Sequence, residues 1–184
     1  FGIEMCIFDN SGRAPPWDGE ASGALKVRGP WVAKGYYGLT DVPGDEGCPV
    51  DENGWFDTGD VASISPDGFL KITDRTKDVI KSGGEWISSI EIENAAVNHE
   101  DVAEAAVIGR YHPKWTERPL LICVLQEGKS LSSEDMLEFL KDKLHKMAIP
   151  DAVEFIDELP HTATGKINKL GLRQTFENYE FPVA

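Results

Sequence analysis

The chain has 184 residues, 41% of them hydrophobic and 27% charged, which is enough to bury a core and too apolar for a disordered chain. Lysine and arginine total 18 against 32 aspartate and glutamate, a formal net charge of −14. That excess excludes a nucleic-acid backbone or an anionic membrane surface as the main partner. Cys6, Cys48 and Cys123 form no Cys-x-x-Cys pair, and the four histidines show no metal-ligand spacing, so no metal site and a reducing, cytoplasmic setting are expected. Apolar runs such as Leu120 to Leu125 are too short to cross a bilayer, and no transmembrane segment is expected. The opening Phe1-Gly2-Ile3-Glu4-Met5 is neither a basic signal peptide nor an initiator methionine, so the chain is expected to be cut from something longer.

Residues 1–75 read as antiparallel β structure. Gly2 to Phe8, Ala24 to Val27 and Phe69 to Ile72 are short apolar runs, punctuated by Asn10-Ser11-Gly12, Asp18-Gly19, Asn53-Gly54 and Asp67-Gly68. Leu39 to Asn53 reads as loop. The run Ile72 to Asp78 is the expected boundary. Beyond it, Ser88 or Ser89 caps a helix ending near His99, and Val102 to Ile108 and Leu120 to Leu125 read as strands. Ser132 to Asp135 starts a second helix with Met136, Leu137, Leu140 and Leu144 as its apolar stripe. Ala152 to Ile156 is a further strand, and Leu170 to Phe176 a last helix. Strands mixed with helices and no repeat predict an α+β domain over residues 76–184. Residues 1–75 are expected to be a partial β subdomain whose Trp31, Tyr36, Tyr37 and Trp55 lack a partner. Its open strand edge would favour a homo-oligomer.

Four constellations could carry chemistry. In Gly54-Trp55-Phe56-Asp57-Thr58-Gly59-Asp60 a carboxylate is either a turn residue or an acceptor for a ribose diol at a strand end. Arg75, Lys77 and Lys81 fall within seven residues, ahead of Ser82-Gly83-Gly84-Glu85-Trp86. This is either a loop neutralised by Asp74 and Asp78, or an anion-binding segment whose glycines allow close approach and whose tryptophan supplies a wall. Pro160 to Lys169 reads as a flexible polar loop, whose Lys166 is either solvated or delivers an ammonium to a phosphate. It is not a P-loop. In Tyr111 to Pro119, Trp115 either stacks on a base or covers the edge of the core.

The order and spacing of these segments resemble the C-terminal part of the adenylate-forming superfamily: acyl-CoA synthetases, peptide-synthetase adenylation domains and luciferases. The motifs are Val27-Arg28-Gly29-Pro30 with Gly35-Tyr36-Tyr37, then Gly54 to Asp60, Asp74 to Glu93, and Gly165-Lys166. Ser82-Gly83-Gly84-Glu85-Trp86-Ile87-Ser88-Ser89 looks most like the medium- and long-chain fatty acyl-CoA ligase branch.

What the resemblance implies is a two-step ligation: a carboxylic acid and MgATP give an acyl-adenylate and pyrophosphate, and CoA then displaces AMP. By the same resemblance, Lys166 is the catalytic lysine of the first step. Asp60, Arg75, Lys77 and Lys81 contact ATP or AMP, and Lys77 is also the hinge. Gly83, Gly84, Glu85, Trp86 and Trp115 belong to the CoA and pantetheine tunnel. The phosphate-binding loop, the acyl pocket and the Mg2+ ligands belong to an upstream domain that this stretch lacks, so the chain alone is expected to be inactive. An adenylation domain that loads a carrier protein and a non-catalytic binding module with this fold are the alternatives.

Overall fold

The computed structural model describes residues 2–40 and 42–182. Asp41, inside the expected loop, and the terminal residues Phe1, Val183 and Ala184 lie outside the described residues. The chain divides into two compact units, Phe1–Lys77 and Asp78–Ala184.

Unit one is an antiparallel sheet of β1 (Glu4–Phe8), β2 (Ser22–Arg28), β3 (Phe56–Ile64) and β4 (Leu70–Arg75), in that order across the sheet. Carboxylates build its turns: Asp9 Oδ1 accepts the Ser11 and Arg13 N–H groups at 2.8 and 2.9 Å, and Asp18 Oδ1 accepts those of Glu20 and Ala21. Ile7, Leu25, Ala62 and Ile64 form a small core on one face. Trp31, Tyr37, Phe69 and Ile72 stay exposed. Trp55 does not: it meets Phe8 edge-on at 5.6 Å and lies 4.4 Å from the Arg28 guanidinium, so it has partners within its own unit. The last strand runs through Arg75, where the sequence suggested Phe69 to Ile72, because Asp74 is 1% exposed and Asp60 pairs with Arg75 across the ladder.

Unit two meets the α+β expectation. Its elements are β5 (Ile80–Ser82), β6 (Glu85–Ile87), α1 (Ser89–Val97), β7 (Val102–His112), β8 (Thr116–Leu125), α2 (Ser133–Lys141), a 3-10 turn at Lys146–Ala148, β9 (Ala152–Phe155) and α3 (Lys169–Thr175). β7 and β8 form a long antiparallel hairpin; β8 also pairs with β5 at Ser82 and runs parallel to β9. Side chains on a strand alternate between faces. Leu121 and Cys123 therefore pack with Ile92, Met136 and Leu140 of α1 and α2. Leu120 and Ile122 pack on the other side with Leu159 and with Leu172 of α3. Helices on both faces explain why Leu120 to Cys123 is uninterruptedly apolar. Burial pushes the Cys123 thiol up to about 12 and keeps it protonated.

Ser88 Oγ accepts the Glu91 N–H, Ser132 Oγ that of Asp135, and Asn168 Oδ1 that of Gly171, so each helix starts at a side-chain cap. Leu144 lies beyond the end of α2 yet stays buried. The β5–β6 hairpin was not expected: its strands have three residues each, too few for an alternation pattern, and tertiary pairing makes them.

A buried guanidinium ties these parts together. Arg118, 7% exposed, donates to Asp151 Oδ1 at 2.7 Å, Ser82 Oγ at 3.2 Å, and the Met147 and Ile149 carbonyls at 2.8 and 2.9 Å. One side chain thus joins β8, the end of β5 and the segment leading into β9. Replacing it with methionine orphans a carboxylate and two carbonyls, and denaturant unfolding should show a loss of about 3 kcal/mol. Arg118→Lys should recover less than half, because an ammonium cannot reproduce the planar fork.

Candidate functional site

In unit one the candidate residues lie on neighbouring strands. Asp60 is the fifth residue of β3, not at a strand end as expected. A local irregularity displays it: Asp57 Oδ1 accepts the Gly59 N–H at 2.8 Å, Thr58 Oγ1 accepts the Asp60 N–H at 3.2 Å, and Gly59 takes φ +73°. Across the ladder, Arg75 Nε is 3.0 Å from Asp60 Oδ1, with side chains 60% and 20% exposed. The buried Asp74 carboxylate accepts the Arg75 N–H at 2.7 Å. Arg75 is therefore matched by a strand neighbour, not by the aspartates of its own segment. Lys77 is the exposed last residue of the unit.

In unit two, the segment expected to be an anion-binding loop is a tight hairpin. Lys81 opposes Trp86 and Ser82 opposes Glu85. Gly83 and Gly84, at φ +57° and +93°, make the two-residue connection. Left-handed torsions at both central positions are those of a type I′ turn, which is why two glycines stand there. A second reason applies to Gly83 alone. A Cβ there would lie 2.8 Å from Trp115 Cε3, whereas one on Gly84 would meet nothing within 4 Å. The Gly83 N–H donates to the Trp115 carbonyl at 2.9 Å, and the Lys81 N–H to Glu117 Oε2 at 2.9 Å. Lys81 Nζ lies 5.8 Å from the Trp86 ring, and Lys114 Nζ 4.6 Å from that of Trp115. Lys81, Gly83, Gly84, Glu85, Trp86 and Trp115 are thus gathered at the tip of the β7–β8 hairpin. Trp115 is half-buried, and its ring covers Gly83 of the turn.

Lys166 sits elsewhere in unit two. Its segment is a closed turn, where the sequence suggested a flexible loop. Thr162 closes it: its N–H donates to the Lys166 carbonyl at 2.7 Å, and its Oγ1 accepts the Lys166 N–H at 3.2 Å. Gly165 at φ +79° reverses the chain. His161 Nε2 meets Glu104 Oε1 at 3.1 Å, docking the turn near the start of β7. From behind, Lys169 Nζ reaches Glu93 at 2.8 Å and Ser89 Oγ at 2.7 Å, and Arg173 reaches Asp78 at 2.7 Å. The Lys166 side chain is exposed and has no polar partner among the described residues.

Glu104, near the start of β7, and His112, its last residue, are eight strand residues apart, so at roughly 3.3 Å per residue they lie about 26 Å apart. One rigid unit therefore carries a bare ammonium near one end of a hairpin and a glycine turn flanked by tryptophans at the other. The sequence reading missed Glu117, Lys169 and Arg173, and it took Arg118 as a cation beside Trp115 that could sit near phosphates, whereas Arg118 is buried on Asp151. The i, i+4 spacing of Lys169 and Arg173 on α3 was their one local signal. Among the described residues no grouping of three or more His, Cys, Asp or Glu side chains could hold a metal ion, and no helix is long and apolar enough to cross a membrane.

Residues 91–166 match the AMP-binding enzyme C-terminal domain family. The chain is 51% identical over 178 residues to 3-methylmercaptopropionyl-CoA ligase of Ruegeria lacuscaerulensis, covering 97% of this chain and 32% of that protein. It is 46% identical over 176 residues to the medium-chain-fatty-acid–CoA ligase of Ectopseudomonas oleovorans, covering 96% and 31%. Its structure resembles ATP-bound MatB from Rhodopseudomonas palustris at a TM-score of 0.80 and 30% identity, covering 97% of this chain and 35% of that one. The chain spans about a third of the length of the curated relatives it matches.

The two glycines should respond differently to a methyl group. Each Ala substitution pays about 1–2 kcal/mol for a left-handed backbone. Gly83→Ala must also displace Trp115, so it should be the less stable variant in urea and should shift the Trp115 indole N–H resonance. Gly84→Ala should leave that resonance in place. Equal effects would show that contact with Trp115 does not constrain Gly83.

Proposed function

We propose that the chain, whose residues 91–166 match the AMP-binding enzyme C-terminal domain family, works as part of an AMP-forming acyl-CoA ligase. In this reading a carboxylic acid, of the fatty-acid class, attacks the α-phosphate of ATP. The thiol of CoA then displaces AMP from the acyl-adenylate. The observation that carries the proposal is the placement of two unlike polar sites near opposite ends of the β7–β8 hairpin in one rigid unit.

The first step brings two anions together and develops charge on phosphate oxygens, so it needs a desolvated cation at the reacting atoms. Lys166 suits that need: the Thr162 hydrogen bonds fix its backbone, and among the described residues no carboxylate competes for its ammonium. Asp60 would accept hydrogen bonds from the ribose hydroxyls, with Arg75, already in contact with it, turning towards the nucleotide. Lys81, at the glycine-turn end of the hairpin, would contact the nucleotide or gate the passage when that end faces the site. Among the described residues no cluster suits a resident metal, and Mg2+ would arrive with ATP. The second step needs the cation withdrawn and a narrow passage for pantetheine. The Gly83–Gly84 turn fits that need, since Gly84 opens on clear space and Trp86 and Trp115 flank it. Rotation about Lys77, where the first unit ends, would exchange the two faces of unit two. The free cysteines Cys6, Cys48 and Cys123 support a cytoplasmic location.

In the full-length enzyme, Lys166→Ala should slow pyrophosphate exchange on the order of 10²–10³-fold while sparing thioester formation from supplied acyl-adenylate. Gly84→Leu should do the reverse, its side chain blocking the passage. Equal loss in both half-reactions for either variant would reduce that residue to a structural one.

Lys77→Pro fixes φ near −65°. It should keep adenylate formation and lose thioester formation. A folded Lys77→Pro enzyme that retains both would place the pivot elsewhere in the chain.

A further inference from the structure

We propose that His112 is a positioning residue that holds Trp115 against the Gly83–Gly84 turn and thereby sets the width of the passage for CoA. The proposal rests on reading that turn as the thiol side of the reaction.

His112 is the last residue of β7, three before Trp115. Its Nδ1 accepts two backbone N–H groups, from Lys114 at 3.1 Å and from Trp115 at 3.3 Å. A ring nitrogen accepting two donors carries no proton, so the hydrogen is on Nε2. Nε2 faces Asp151 Oδ2 at 3.9 Å, and Asp151 is itself held by Arg118. The Phe181 ring lies 6.0 Å from the imidazole. Asp151 and Phe181 thus flank the ring on its other sides, and Nδ1 does for the Pro113–Trp115 reversal what a side-chain oxygen does in an Asx turn.

The reversal needs such support. Thr116, directly after Trp115, takes φ +73°, and it alone among the described non-glycine residues lies in the left-handed region. Left-handed backbone at a β-branched residue costs about 1–2 kcal/mol and persists only where neighbours over-determine it. Here two contacts do so. His112 grips the two amides before the strained residue, and the Gly83 N–H grips the Trp115 carbonyl at 2.9 Å. The strain turns that carbonyl towards Gly83 and lays the indole over it, Cε3 lying 2.8 Å from where a Cβ would be. Without the His112 imidazole the Lys114 and Trp115 amides lose their acceptor, and the indole is free to tilt into or away from the passage.

The test compares His112→Asn with His112→Ala. An asparagine oxygen reaches the same two amides from a shorter side chain; alanine reaches neither. In this chain the Trp115 indole N–H resonance, identified by its loss in Trp115→Phe, should move in the alanine variant and return in the asparagine one. In the full-length enzyme His112→Ala should raise the KM for CoA about 10–100-fold, the range expected when a reacting group is displaced by about an ångström, with pyrophosphate exchange within about twofold of the parent. His112→Asn should restore the KM. If the alanine variant does not fold, asparagine against glutamine makes the same comparison, since the longer amide overshoots both N–H groups. An asparagine variant as impaired as alanine or glutamine, or an equal fall in both half-reactions, overturns the proposal. Failure of the thiol-side reading is seen separately, as unimpaired thioester formation in Gly84→Leu. The indole resonances would then still report whether His112 positions Trp115.

Discussion

The burial of β8 on both faces is the constraint on which unit two depends. A strand with helices above and below can expose neither its backbone nor its alternate side chains, so its neighbours must satisfy it on every side. β7 takes one edge; β5 and β9 share the other. Arg118 is the exception that makes the arrangement specific. A guanidinium in that strand must find all its acceptors inside, and it finds them in Ser82 at the end of β5 and in Asp151 and two carbonyls of the segment leading into β9. The place where the strand stops being uniformly apolar is the place where the glycine turn is attached.

In the proposed function the chemistry is carried near the ends of the β7–β8 hairpin, not in a cavity between elements. The Lys166 turn is tied near the start of β7 through His161 and Glu104, and the glycine turn is tied at the tip through Trp115, Glu117 and Arg118. Neither site needs the other to change shape. A ligase that must present a cation in one step and remove it in the next can do so by turning such a body as a whole. Lys169 and Arg173 add to its rigidity, since their ion pairs anchor α3 to α1 and to Asp78, the first residue of the unit.

Unit one has a different economy. Its core is four side chains on one face, while Trp31, Tyr37, Phe69 and Ile72 are exposed. Its order comes largely from turn carboxylates and from the Asp60–Arg75 pair, which are local devices. The same pair that closes the ladder is the one proposed to meet the ribose, so structural and binding roles coincide in it.

The α+β class, the caps at Ser88 and Ser132, and the apolar identity of Leu120 to Cys123 were legible in the sequence. Caps, short turns and long apolar runs act within a few residues, and local chemistry dictates them. The order of the motifs was legible too, which is why Asp60, Arg75, Gly83, Gly84, Trp115 and Lys166 could be singled out. Tertiary structure alone decided what those residues touch. Three-residue strands such as β5 and β6 have no signal of their own and exist because β8 offers an edge. The two glycines look alike in sequence, yet only Gly83 lies under an indole that comes from more than thirty residues away. Glu117, Arg118 and His112 matter through partners brought up by the β7–β8 hairpin. A chain read residue by residue shows which groups are present and how the backbone turns near them. Which groups meet is settled only when long-range pairing pays the entropy of closing the loops between them.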